Sequence, residues 1–130
     1  MHDISLERLV GNLTESYNRQ LDLYRRLTTL GQRILGQLSL SRGDLSRVMP
    51  LFQEKQQLLE QISTARAQSQ KESQVWQETK SSAGHQPGAQ ALNAVLNDTQ
   101  QAIQRFLSTE DQVKHYLEHL MSSGEKTANE

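Results

Sequence analysis

Along residues 4–38, positions 6, 10, 13, 17, 20, 24, 27, 31, 34 and 38 step by alternating fours and threes, and all are apolar or aromatic except Gln20 and Gly31. That period keeps one stripe of a helix against a neighbour, as in coiled coils. Asp3 stands where a helix cap belongs, Glu15 with Arg19 and Asp22 with Arg26 are i,i+4 pairs of opposite charge, and no proline intervenes. A first helix is predicted over about residues 4–38.

The run SLSRGDLS, residues 39–46, breaks the pattern with serines, a glycine and Asp44, an acid suited to capping the next helix. The second helix is expected over about residues 45–81, with Leu45, Val48, Phe52, Leu59 and Ile62 on one seam and Lys55 between Phe52 and Leu59. Pro50 either kinks it or marks a true start near Met49. Residues 65–74 are almost wholly polar, which predicts weak packing until Val75 and Trp76. A second turn follows at 81–90, with Gly84, Pro87 and Gly88.

The third helix is predicted over about residues 90–121, with Leu92, Leu96, Thr99, Ile103, Phe106, Glu110, Val113, Leu117 and Leu120 on its seam. Gly124 reads as a stop, and residues 122–130 as a disordered tail. The fold class is therefore all-α: an elongated antiparallel three-helix bundle, or coiled coil, forming one domain over residues 1–121. Leu21, Leu23, Leu30, Leu35 and Leu107 stand off the seams. Some must face the third helix, and the rest offer surface to a partner or to a second copy in a homodimer.

Composition narrows the function. The 130 residues include no cysteine, which excludes disulfides, thiolate metal sites and cysteine nucleophiles. Net charge is -1 with the signs interspersed, and only 5% of residues are aromatic, so no nucleic-acid footprint is present. The N-terminal stretch reads as neither a signal peptide nor a membrane span, and a cytoplasmic location is expected.

One stretch carries candidate chemistry. HYLEH, residues 115–119, has the H-x-x-E-H spacing of a class of zinc protease, in which two histidines hold the metal and the glutamate is general base. A third ligand is required well downstream, and only Glu125 and Glu130 follow in the tail. A slender bundle also offers little concavity for a substrate. His115, Glu118 and His119 are therefore expected on a solvated helix face, with Asp111 beside His115, and neither metal nor cofactor is expected. No phosphate-binding loop and no scaffolded Ser-His-Asp arrangement occurs, so the chain is not expected to be an enzyme. The RGD at residues 42–44 reads as part of a turn, Trp76 as a core plug, and Lys55 as a register-setting residue whose stem is buried and whose amine reaches solvent.

Residues 27–62, LTTLGQRILGQLSLSRGDLSRVMPLFQEKQQLLEQI, resemble the FlgN-type flagellar export chaperones. A leucine-rich first helix, a short break ending in Asp44-Leu45, and Lys55 followed by Leu58-Leu59 occupy the places of that family's pattern. The FliT-type chaperones look nearly as similar. The resemblance implies a cytoplasmic, non-enzymatic chaperone that binds C-terminal amphipathic helices of hook-associated proteins and delivers them to the flagellar export apparatus. It also implies recognition toward the C-terminal end, where Val113, Tyr116, Leu117, Leu120 and Met121 are candidates, with Tyr116 and Met121 as the free surface. The competing expectation is a structural or adaptor coiled coil acting by self-association.

Overall fold

The computed structural model describes residues 2–41, 44–81 and 88–129, with side chains over 6–41, 44–81 and 88–122. Three long helices account for nearly all of them: α1 (His2–Ser41), α2 (Met49–Thr79) and α3 (Ala89–Asn129), with a single 3-10 turn at Leu45–Arg47 before α2. No strand occurs among the described residues. At about 1.5 Å per residue, the 40 residues of α1 span about 60 Å.

The helix boundaries differ from expectation at three places. Asp3 lies inside α1 rather than at its cap. Pro50 does not kink α2 but occupies its first turn, where its missing N–H removes no helical bond. Residues 45–47 instead form the 3-10 turn, capped by Asp44, whose carboxylate accepts from the Ser46 amide at 3.0 Å. The Ser46 hydroxyl and then its amide hold the Asp44 pKa below the ordinary carboxylate value. Finally, α3 continues through Gly124 to Asn129, where a disordered tail was expected. A lone glycine costs a helix only about 1 kcal/mol, and no proline follows to enforce a stop. The RGD residues Arg42 and Gly43, and Gly84 and Pro87 of the second turn, lie outside the described residues.

Chain direction is fixed by side-chain pairs. Asn12 Nδ2 donates to Glu72 Oε2 at 3.2 Å, the Tyr17 and Ser73 hydroxyls lie 3.1 Å apart, and Gln20 Nε2 donates to Ser69 Oγ at 3.3 Å, so α1 and α2 are antiparallel. Along α3 the order runs the other way. Thr99 Oγ1 lies 3.5 Å from the Tyr17 carbonyl, and the Tyr24 and Phe106 rings sit 6.0 Å apart, so α1 and α3 are parallel. Gly88, at φ +87°, starts α3 in a backbone conformation that favours glycine, and its carbonyl accepts from the Leu92 amide.

Burial shows which helix serves as the spine. On α1 the seam residues Val10, Leu13, Leu27, Ile34 and Leu38 are buried, and so are the off-seam Leu21, Leu23 and Leu30. This wide apolar arc contacts both other helices. Of the expected second seam Val48 and Ile62 are buried, but the buried line on α2 runs through Leu51, Leu58, Ile62, Ala65, Ser69 and Trp76, a shift of about one residue at Phe52 and Leu59, which are half-buried, while Leu45 is exposed. On α3 the expected seam residues Leu92, Thr99, Phe106 and Val113 are buried, while a similar shift buries Val95, Ala102 and Thr109 in place of Leu96, Ile103 and Glu110.

The polar half of α2 is held differently from the weak packing expected of it. Ala65 and Ser69 are small and buried, and the hydrogen bonds to Asn12, Tyr17 and Gln20 replace apolar contacts. Trp76 closes this end at 2% exposure, in the same core as Val10, Leu92 and Val95, with Leu6 and Leu9 packed against that core. Gly31, the second interruption of the α1 seam, lets α3 approach: a Cβ placed there would stand 2.5 Å from Thr109 Cγ2.

Two measurements test this packing. Gly31→Ala, which normally favours a helix, is expected to lower stability by about 1–3 kcal/mol through overpacking. Thr109 cannot easily turn away, because it is β-branched and its hydroxyl bonds the Arg105 carbonyl at 3.0 Å. Adding Thr109→Ser, which removes the clashing methyl, should restore stability in urea titrations; an additive double variant would contradict the contact. Trp76→Ala is expected to cost about 3 kcal/mol or more, and native tryptophan fluorescence should be blue-shifted and protected from quenchers. A red, freely quenched spectrum would place the end of α2 in solvent.

Candidate functional site

α2 and α3 both lie along α1, yet no Cα of one comes within 8 Å of a Cα of the other among the described residues. Packed helices stand about 8–10 Å apart between axes and bring many Cα atoms closer than that. The consequence is an open groove with α1 as floor and α2 and α3 as walls, enclosing about 1120 Å³. Tyr17, Gln20 and Tyr24 form the floor, residues from Leu59 to Gln77 one wall and residues from Asn93 to Leu107 the other.

The rotated seams now have an explanation. Leu59, Leu96 and Ile103, read from the sequence as core, line the groove and remain half-buried against the core edge. Leu107, on the same wall, is 57% exposed. Each helix therefore carries one buried stripe against α1 and a second, partly apolar stripe along the groove.

The groove is nearly free of charge. Charged residues make up 22% of the chain, but Arg66 is the one charged residue in the lining. By contrast, the depression on the other side of α2 is lined by Arg19, Asp22, Arg26 and Glu60, the ordinary chemistry of a solvated helix face. Depletion of charge with retention of apolar and aromatic residues marks the centres of protein interfaces.

Just beyond the Leu59 and Leu107 end of the groove an ion pair bridges its two walls. Lys55 Nζ meets Glu110 Oε2 at 2.6 Å, with the side chains 15% and 30% exposed, and the amine also lies 5.8 Å from the centre of the Phe52 ring. The Lys55 amine thus binds across to α3 rather than reaching solvent as expected. Glu110 is the charged interruption of the α3 seam, so two apparent defects in separate helices are one another's partners. This is the only ion pair between α2 and α3 among the described residues.

The C-terminal candidates fare unevenly. Val113 is buried in the core, and Tyr116, Leu117 and Leu120 are half-buried against it, so Tyr116 is not the free surface expected. Only Met121, at 68% exposure, stands clear. His115 turns back on its own helix, its Nδ1 2.8 Å from the Asp111 carbonyl and 3.5 Å from the Asp111 carboxylate. His119 is exposed, and among the described residues no three His, Asp or Glu side chains gather as metal ligands. No described helix is long and apolar enough to cross a membrane. The groove was missed because its sequence signal is subtle: glutamine, asparagine and serine occupy outward positions of α2 and α3 where a solvated face usually carries lysine and glutamate.

No family model, curated protein or solved structure matches this chain.

The Lys55–Glu110 bridge is testable by a double-mutant cycle. Lys55→Met or Glu110→Leu alone is expected to cost about 1–3 kcal/mol by stranding the other partner, while the double variant should cost clearly less than their sum. Additive losses in urea titrations would show that the two groups do not interact in solution.

Proposed function

We propose that this chain is a non-enzymatic, cytoplasmic export chaperone of the FlgN type, holding an amphipathic helix of a hook-associated protein in the groove between α2 and α3. The observation that carries the reading is the groove itself: two walls with no Cα pair within 8 Å of each other among the described residues, a floor with Tyr17 and Tyr24, and a lining almost without charge. Together these amount to a helix bundle with one place unfilled. An amphipathic helix laid there meets leucine and isoleucine side chains at the spacing that helix packing uses.

Such binding suits the task. A segment whose apolar stripe drives assembly into a filament junction is kept monomeric when another protein covers that stripe, and it is released when the export apparatus competes for the groove. No covalent step is required. The resemblance over residues 27–62 supplies the partner class, and the groove supplies a surface on which that partner fits. Recognition is assigned to the groove rather than to residues 113–121, because Val113, Tyr116, Leu117 and Leu120 already pack into the bundle.

Calorimetry with C-terminal peptides of hook-associated proteins tests the proposal. Binding is expected, and Leu107→Asp, at an exposed groove position, should weaken it by about tenfold or more with little change in melting temperature. Met121→Asp should weaken it less. Absence of binding by every such peptide, together with self-association in sedimentation, would replace this reading with that of a structural coiled coil.

A further inference from the structure

The groove is not uniform along its length. Toward the Lys55–Glu110 bridge it is apolar, with Tyr24, Leu59, Ile62, Ile103, Phe106 and Leu107. Toward the Trp76 end it is lined by amides, among them Gln70, Gln74, Gln77, Asn93 and Asn97. These five are exposed, and their side chains make no hydrogen bond with any other described residue. The Tyr17 and Ser73 hydroxyls at the same level are already paired with each other. Arg66 lies on α2 between the two halves.

We infer that the occupant is a helix from another protein whose groove-facing stripe is divided in the same way: leucine-like over the turns nearest the Lys55–Glu110 bridge, uncharged and hydrogen-bonding over the turns beside the amides, with one acidic residue near Arg66. This rests on the groove being the binding site, and it specifies the partner's chemistry beyond amphipathicity. The physical reason is the cost of mismatch. An apolar residue laid over the amides strands their donors and acceptors, each at a penalty comparable to a lost hydrogen bond. A lysine or glutamate laid there buries a charge with no partner. Serine, threonine, asparagine or glutamine meets the amides without either cost. With Arg66 the single charge in the lining, attraction between the partners depends little on screening, so binding is nearly independent of salt.

The wall from Leu59 to Gln77 is about 27 Å long at the helical rise, which sets the probe: peptides of about 18 residues, helix-favouring and dye-labelled, differing only in the groove-facing stripe. One carries the divided stripe, one leucine throughout, and one lysine in the apolar half. Fluorescence anisotropy should rank the divided stripe first, the leucine stripe several-fold weaker and the lysine stripe weaker by about tenfold or more. Raising salt from about 0.05 M to about 0.5 M should change the Kd of the divided peptide by less than about threefold.

Gln70→Leu with Gln74→Leu, both at exposed positions, should reverse the preference toward the leucine stripe while helix content by circular dichroism is unchanged. A leucine stripe that binds best to the unaltered protein, or binding abolished by salt, overturns the inference. Hook-associated peptides that bind while the designed ranking fails would remove this inference and leave the chaperone reading. The ranking observed with no binding of hook-associated peptides would remove the partner named above and leave the divided groove.

Discussion

The width of the apolar arc on α1 is the constraint on which the rest of the structure depends. Buried residues on this helix include not only the four-three seam but also Leu21, Leu23 and Leu30, so it can cover two neighbours at once. The buried lines on α2 and α3 are single stripes, each wide enough for one. A closed three-helix bundle needs every helix to carry the wider arc, because each then has two neighbours. Here only one does, and the other two pack along it while, among the described residues, no Cα of one comes within 8 Å of a Cα of the other. The groove follows from where the leucines are.

Register follows from a second feature, the polar and small residues that interrupt the seams. Gln20 on α1 finds Ser69 on α2, Gly31 on α1 admits Thr109 on α3, and Lys55 on α2 reaches Glu110 on α3. Sliding any helix by one turn would bury an amide against leucine, drive Thr109 into a side chain, or strand a charge. Each of these errors costs on the order of 1–3 kcal/mol, whereas leucine set against leucine discriminates poorly among registers. The interruptions weaken individual seams and make one alignment of all three preferable.

Much of this was legible in the sequence. Three helices, two breaks, the capping role of Asp44 and the burial of Trp76 all follow from periodicity and turn chemistry. The groove did not follow, for a physical reason. A four-three pattern reports that a face is apolar but not whether a neighbour covers all of it, and so Leu59, Leu96 and Ile103 read as core although they border an open channel. Lys55 and Glu110 each looked like an isolated irregularity because their pairing joins helices far apart in the chain. The candidates at residues 113–121 came from a resemblance rather than from their own exposure: Val113 is buried, Tyr116, Leu117 and Leu120 are half-buried, and Met121 is exposed. α3 continues past Gly124 because a single glycine does not terminate a helix where nothing beside it enforces a stop.

That α1 is a shared spine, with the backbones of α2 and α3 packed along it and held apart from each other across the groove, can be measured directly because the chain has no cysteine of its own. At the Gly31 contact a Cβ on the glycine would lie 3.6 Å from Thr109 Cβ, which is disulfide geometry. Across the groove no Cα pair lies within 8 Å, beyond the span a disulfide bridges without backbone movement. Two double variants, Gly31→Cys with Thr109→Cys and Ala67→Cys with Gln100→Cys, should therefore behave oppositely under mild oxidation. The first should close an intramolecular bond quickly with helix content retained, and the second should remain reduced. Rapid bonding across the groove in a fully helical protein would mean that α2 and α3 pack together, and that the channel assigned here to a partner helix does not exist in solution.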